Sequence, residues 1–165
     1  MKTEIAFLPR SLAIAEGREE DATKRASYPQ IHWRVTLRRD NGAEVWRGIY
    51  SQGIAHHPHY KHIKTATARG EIMESLETGK CRRPNAMYRM DKLVPPTEAD
   101  VLQSLALDAD AMDYPSFEAW AGEFGYDTDS RRAEATYRDC LAIGLALRSL
   151  IGDESIARLR EEANA

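Results

Sequence analysis

The chain has 165 residues, 42% of them hydrophobic and 30% charged, a composition typical of one globular domain or of one domain with a substantial extension. No stretch approaches the roughly 18 apolar residues of a membrane span, and the apolar run at residues 5–8 is too short for a signal peptide. Two cysteines without a CxxC partner do not make a disulfide framework. We therefore expect a cytoplasmic protein in a reducing compartment, with no membrane partner.

Charge is distributed unevenly along the chain. Residues 1–94 carry a net charge of +6 and residues 95–165 a net charge of −9, which add to the overall −3. The chain therefore changes from a basic part to an acidic part near Pro95-Pro96. The two parts are either separate domains or one continuous globule. Such asymmetry favours a surface that binds nucleic acid or another protein, but it is equally expected if the two parts dock on each other.

The basic part begins with strand patterns. Residues 3–8 read as a short strand. Residues 31–37 alternate, with Ile31, Trp33, Val35 and Leu37 on one side and polar residues on the other, which is typical of a half-buried strand. Asp40-Asn41-Gly42 supplies the turn, and residues 45–50 form the return strand. The sequence therefore predicts a β-hairpin over residues 31–50.

A helix and a connector follow the hairpin. Residues 60–77 carry apolar residues at three- and four-residue spacing, which predicts a helix closed by Thr78-Gly79. Residues 80–93 form a basic connector. For residues 11–26 the pattern leaves a frayed helix and a loop both open.

The acidic part reads as helices throughout. Thr97 and Asp100 match a capping box at the start of a first helix, and Ser116 can cap a short helix that Gly125 ends. Asp129 or Ser130 caps a long helix with an apolar stripe, broken at residues 152–153. The stripe consists of Ala133, Tyr137, Cys140, Gly144, Leu147 and Ile151. The predicted fold class is α+β: an N-terminal antiparallel hairpin or small sheet with one helix, followed by a C-terminal bundle of three to four helices.

The motifs of the acidic part resemble a module found in small, largely uncharacterised accessory proteins of bacteriophages and prophages. The matching motifs are P-T-x-x-D-V-L from Pro96, S-F-E-x-W from Ser116 and G-Y-D-T-D-S-R-x-A-E from Gly125. The resemblance covers residues 94–153, and relative to the short version of the module residues 56–92 read as an insertion. It implies a phage or mobile-element source, and it carries over no catalytic residue.

That resemblance implies a non-enzymatic binding protein. Small phage proteins of this kind bind host macromolecules, and some inhibit defence systems such as CRISPR effectors. The expected partner is a host protein or ribonucleoprotein effector in the cytoplasm of the bacterial host. We expect the acidic residues of residues 95–165 to contact it, and we expect no cofactor. The candidate partner-binding residues are Asp108, Asp110, Asp113, Glu118, Glu123, Asp127, Glu134 and Asp139.

A second hypothesis is nucleic-acid binding by the basic part. Arginine and lysine neutralise phosphates, and aromatic side chains such as those of Trp33 and Trp46 can stack on bases. No RNP, helix-turn-helix or zinc-finger motif supports DNA or RNA binding. The candidate residues are Arg34, Arg38, Arg39, Arg47, Lys61, Lys64, Arg82 and Arg83.

A third hypothesis is a metal-dependent nuclease built on the histidines of one loop, His56, His57, His59 and His62. Imidazole binds zinc and related metals, but Pro58 imposes an extended path and no HExxH pattern is present. A calcium loop starting at residue 127 lacks the required Gly and Glu. Because no P-loop, GxSxG or GxGxxG motif occurs either, we expect that the protein is not an enzyme.

Overall fold

The computed structural model describes residues 1–18, 30–53, 73–80 and 95–165. A three-stranded antiparallel sheet lies in the N-terminal part of the chain and helices follow it, so the α+β prediction is confirmed. Within the described residues, no helix has both the length and the apolar character needed to cross a membrane.

The sheet contains the predicted hairpin. Strand β1 spans Lys2–Leu8, β2 spans Gln30–Arg38 and β3 spans Glu44–Gly53, in the order β1-β2-β3. The backbone N–H of Arg39 donates to the Ala43 carbonyl at 2.9 Å, and Gly42 adopts a φ of +89°. Because L-residues with a Cβ rarely adopt such a φ, glycine at this position favours the turn.

Strand β2 is buried further than the half-buried strand that the sequence predicts, although Arg34 and Arg38 on the second side keep intermediate exposure. Ile31, Trp33 and Val35 are buried as predicted, but His32 and Thr36 on the other side are 1% and 6% exposed. The alternation shows which residues share a face, but it does not show whether the second face is covered. His32 is tolerated there because its Nδ1 forms a 2.7 Å hydrogen bond with the Ser51 hydroxyl.

Two short helical segments accompany the strands. Helix α1 spans Arg10–Ala15, which settles the open question about the start of residues 11–26, and residues 73–78 are helical (α2). Gly79 ends α2 with a φ of +74°, as the sequence predicts for the end of the helix over residues 60–77. Residues 60–72 of that predicted helix lie outside the described residues. The backbone N–H of Ser11 donates to Glu77 at 3.0 Å, which ties α1 to α2.

The helices of the acidic part begin where their caps predict. Helix α3 spans Glu98–Asp108 behind a complete capping box of Thr97 and Asp100, and a 3-10 helix continues over Ala109–Asp113. Helix α4 spans Phe117–Phe124 and α5 spans Arg131–Asn164. The hydroxyls of Ser116 and Ser130 accept backbone N–H bonds at these two starts, so Ser130 rather than Asp129 is the cap of α5.

Helix α5 is interrupted at the predicted position. Gly152 has a φ of +80° and a ψ of 164°, which is not helical. Before this break Ala133, Gly144 and Leu147 of the predicted stripe are buried. After it the chain is helical as far as Asn164, longer than the one or two turns that the sequence indicates.

The chain divides into two compact units. The first, called here the helical unit, comprises residues 97–165 together with residues 1–3 and 37–46. The second, called the sheet unit, comprises residues 4–36 and 47–96. Each unit has buried apolar side chains: Val101, Leu105 and Leu147 in the helical unit, and Ile31 and Leu76 in the sheet unit.

Candidate protein-binding surface on the helical unit

An aromatic cluster surrounds Trp120 of α4. The Trp120 side chain is only 3% exposed, and it lies with Ala111 and Ala121 in one buried cluster. Its ring centroid is 6.2 Å from that of Phe117 and 5.4 Å from that of Tyr137, which comes from α5. Aromatic pairs at such distances stabilise the fold beyond the area they bury, so Trp120 anchors α4.

The cluster extends to the surface at the end of α4. Gly125 adopts the left-handed conformation with a φ of +72°, and the backbone N–H of Tyr126 donates to the Ala121 carbonyl at 2.8 Å. This Schellman-type ending turns the chain back on the helix. As a result the Tyr126 ring stacks on Trp120, with centroids 5.1 Å apart and an interplanar angle of 11°.

Two large side chains of this cluster remain half exposed. Phe124 and Tyr126 each keep 47% of their surface accessible. The Phe124 ring contacts both Trp120, at 5.6 Å, and Tyr114, at 6.0 Å. We call Tyr114, Phe124 and Tyr126 the aromatic edge. Exposed aromatic groups backed by a buried aromatic core are typical of protein interaction sites.

The segment that forms the aromatic edge has no basic residue. Between residues 97 and 130 the chain contains no lysine, arginine or histidine. The nine carboxylates of the segment are Glu98, Asp100, Asp108, Asp110, Asp113, Glu118, Glu123, Asp127 and Asp129. The segment is therefore uniformly negative, and charge neutralisation has to come from other parts of the chain or from a partner.

Several of the predicted partner-binding acids lie at the aromatic edge. Burial raises the pKa of Tyr114, and the carboxylates of Glu123, Asp110 and Asp113 raise it further. Asp127 follows Tyr126 directly, and its Oδ1 accepts the backbone N–H of Asp129 at 2.9 Å, which fixes that carboxylate. Asp110, Asp113 and Glu123 thus lie close enough to Tyr114 to affect its pKa, and Asp127 follows the exposed Tyr126 in the chain.

Asp110 lies deepest among these acids. Burial is the main reason that its pKa is raised, while the indole N–H of Trp120 and the charge of Arg160 lower the pKa in part. The Trp120 N–H approaches Asp110 without making a hydrogen bond of standard geometry, and its nitrogen is buried.

Some of the predicted acids form ion pairs, and others lie elsewhere on the helical unit. Asp113 is paired with Arg160 at 2.8 Å, and Glu134 with Arg138 at 2.7 Å within α5. Glu118 is exposed in the first turn of α4, where a negative charge is favoured by the helix dipole. Asp108 and Asp139 are exposed near Cys140, whose thiol pKa is raised to about 11, mainly by burial and also by these charges and Asp110.

Three of the predicted nucleic-acid-binding arginines make contacts within the protein. Arg34 is paired with Glu16, Arg38 donates to the Gly42 carbonyl at 3.1 Å, and Arg39 donates to the Ser149 hydroxyl at 2.8 Å. Arg47 is exposed on β3. The remaining candidates lie outside the described residues, and they are Lys61, Lys64, Arg82 and Arg83.

The predicted metal site also lies outside the described residues, since it consists of His56, His57, His59 and His62. Across residues 1–18, 30–53, 73–80 and 95–165, no group of three His, Cys, Asp or Glu side chains is placed to hold a metal ion.

The aromatic edge is the part of this surface that the sequence did not predict. The motif residues around it read as caps and core, and for Ser116, Ser130 and Trp120 the structure agrees. The available signal was the pair Gly125-Tyr126, because a glycine at a helix end returns the next side chain to the helix. No known protein family, curated protein or solved structure matches the chain.

Proposed function

We propose that this protein is a non-enzymatic binding protein whose helical unit binds a basic surface of another protein. The observation that supports this most directly is the aromatic edge within a segment of nine carboxylates and no basic residue. Exposed rings provide desolvated contact area, and the carboxylates favour a positively charged partner and exclude negatively charged ones.

The proposed partner is a host defence effector with a basic nucleic-acid channel, such as a CRISPR effector. The resemblance of residues 94–153 to a phage accessory module supports this class of partner. CRISPR effectors hold their nucleic acid in a positively charged channel. A compact body that presents carboxylates can occupy such a channel in place of phosphates, and inhibition then follows from competition for the same basic residues.

The test is competition for a purified CRISPR effector. We expect the protein to displace target DNA from the effector in a mobility-shift assay, with an effect that weakens as salt increases because the contact is largely ionic. The variant Glu123→Lys/Asp127→Lys should lose the inhibition. Glu154→Lys/Glu161→Lys is the matched control, since it makes the same change in charge at exposed positions on the last part of α5.

The results separate the hypotheses. Equal inhibition by both double variants would show that the aromatic edge is not the binding surface. Retention of DNA or RNA by the protein alone, decreasing steeply with salt, would favour the basic part as the functional region instead. Arg47 is the natural position for testing this alternative among the described residues, because it is exposed on β3, whereas Arg34 is paired with Glu16.

A further inference from the structure

Tyr126 stacks on a buried ring and remains half exposed. One of its faces lies against the Trp120 indole, because the two rings are within 11° of parallel with centroids 5.1 Å apart. The residue nevertheless keeps 47% of its surface exposed. A planar group placed on the outer face would continue the stack of two rings, and the buried Trp120 keeps the platform in a fixed orientation.

The charges around this platform favour a cation. Asp127 comes next after Tyr126 in the chain and its carboxylate accepts the Asp129 N–H, and Glu123, which comes just before Phe124, lies close enough to Tyr114 to raise its pKa. A cation over an aromatic face is attracted by the ring quadrupole, and a neighbouring carboxylate adds a charge-assisted hydrogen bond.

The chain itself shows that this part of the helical unit accommodates a guanidinium. Arg160 donates from Nη1 to Asp113 at 2.8 Å and from Nε to the Ala106 carbonyl at 2.7 Å. Asp113 also lies close enough to Tyr114 to raise its pKa. One guanidinium is thus already held by a carboxylate at the aromatic edge.

We propose that the aromatic edge is a receptor for an arginine side chain of the partner protein, stacked on Tyr126 and paired with Asp127 or Glu123. This inference rests on the proposed function and specifies the group that is recognised. Arginine is favoured over lysine because its guanidinium is planar, is less strongly hydrated and can donate two parallel hydrogen bonds to one carboxylate.

The experiment compares two labelled probes, an arginine homopeptide and a lysine homopeptide of equal length, by fluorescence anisotropy at physiological salt. Both carry the same charge, so a purely electrostatic surface would bind them equally. We expect the arginine peptide to bind more tightly, by about two- to thirtyfold, as a stacked guanidinium would give.

Variants at one position isolate the stacking contribution. Tyr126→Phe should keep the preference for arginine, because the ring remains, and Tyr126→Leu should reduce that preference to what the paired carboxylate alone contributes. Leu145→Ala is the control for loss of an exposed apolar side chain, since Leu145 is 52% exposed on α5. Thermal unfolding of each variant shows whether the fold is retained.

The outcomes distinguish this inference from the proposed function. Equal affinity for the two peptides, binding of neither, or an arginine preference that Tyr126→Leu leaves unchanged would overturn the arginine receptor. In each of these cases the competition assay with Glu123→Lys/Asp127→Lys still tests whether the acidic surface binds the effector. Conversely, an arginine preference without effector inhibition would leave the receptor standing and reject the defence effector as its partner.

Discussion

Each of the two units buries one tryptophan to the same extent, but the two side chains differ in their surroundings. Trp33 of the sheet unit and Trp120 of the helical unit are both 3% exposed. The Trp33 N–H donates to the Gln52 side chain at 2.8 Å, whereas the Trp120 N–H makes no hydrogen bond of standard geometry. Trp33 meets Phe7 edge-to-face inside the unit, whereas Trp120 stacks on a half-exposed tyrosine.

The difference shows where each unit directs its polar and aromatic groups. In the described part of the sheet unit, polar side chains pair with one another, as in the His32–Ser51 hydrogen bond and the Arg34–Glu16 ion pair. The helical unit directs aromatic rings and carboxylates outward at the end of α4. A surface of that kind is typical of binding, because internal pairing would leave nothing for a partner to contact.

The largest expected effect is loss of either tryptophan. Trp33→Ala and Trp120→Ala should each lower the free energy of unfolding by about 3–5 kcal/mol, because each leaves a cavity in a packed core. Chemical denaturation measures the loss. If Trp120→Ala lowered the free energy of unfolding by well under half as much as Trp33→Ala, the aromatic cluster would contribute little to the core of the helical unit.

Two glycines extend the comparison to backbone packing. A Cβ at Gly144 in α5 would lie 2.5 Å from the Met112 Cγ, and one at Gly79 would lie 2.8 Å from the Phe7 Cδ1. Gly144→Ala should lower the free energy of unfolding by about 1–3 kcal/mol, because the added methyl group overpacks the contact with Met112. Gly79→Ala should lower the free energy of unfolding by about 1–2 kcal/mol more than Gly144→Ala does, because its φ of +74° is strained for alanine.

The double variant Gly144→Ala/Met112→Ala separates these causes. It should be more stable than the sum of the two single changes predicts, since removal of the methionine side chain relieves the clash. Additive losses in denaturant unfolding would show that Met112 already moves aside. No second-site change should fully rescue Gly79→Ala, because the backbone strain remains.

Conservative ring changes should produce a smaller difference. Trp33→Phe leaves the Gln52 side chain without its donor and should cost about 1 kcal/mol more than Trp120→Phe, which removes an N–H that makes no standard hydrogen bond. Denaturation midpoints of the two variants, measured side by side, provide the check. A larger loss for Trp120→Phe would mean that its approach to Asp110 is a stabilising contact.

The smallest effect concerns alkaline pH and the thiol of Cys140. Burial raises its pKa from the ordinary 9.0 to about 11, so the folded protein favours the protonated thiol. The stability from this preference is complete below pH 9.0 and is lost as pH rises towards 11, because the unfolded chain releases the proton first. Cys140→Ala should show a shallower loss of stability in that window, measured by denaturation across the pH series. An unchanged pH dependence would place the alkaline transition elsewhere, with Tyr114 as the next group to examine.

Local features of the fold were predictable because their chemistry is local. The cap at Ser116, the capping box at Thr97 and the helix break at Gly152 each depend on residues within a few positions along the chain. The hairpin turn at residues 40–42 is of the same kind, so the hairpin and the helices that begin after Thr97, Ser116 and Ser130 agree with the sequence. The sequence left the region of α1 open and did not predict the 3-10 helix over Ala109–Asp113.

The rest depends on contacts that are distant in sequence. Burial of His32 requires a hydroxyl from the neighbouring strand, and the aromatic cluster requires Tyr137 to arrive from α5 beside Trp120. The acids were identified from charge alone. That pattern did not separate Asp127, which follows the exposed Tyr126, from Glu134, which is paired within its own helix. The distinction between surface charge and candidate site therefore came from packing.

The lack of basic residues from Thr97 to Ser130 also determines how this surface can be mapped. Trypsin cleaves after lysine and arginine, so residues 93–131 leave the protein as one peptide that contains every ring of the aromatic edge and the carboxylates around it. Lysine-directed cross-linkers have no target within it. Carboxyl-directed cross-linking or footprinting would therefore report the occupancy of the entire surface in a single mass-spectrometric fragment.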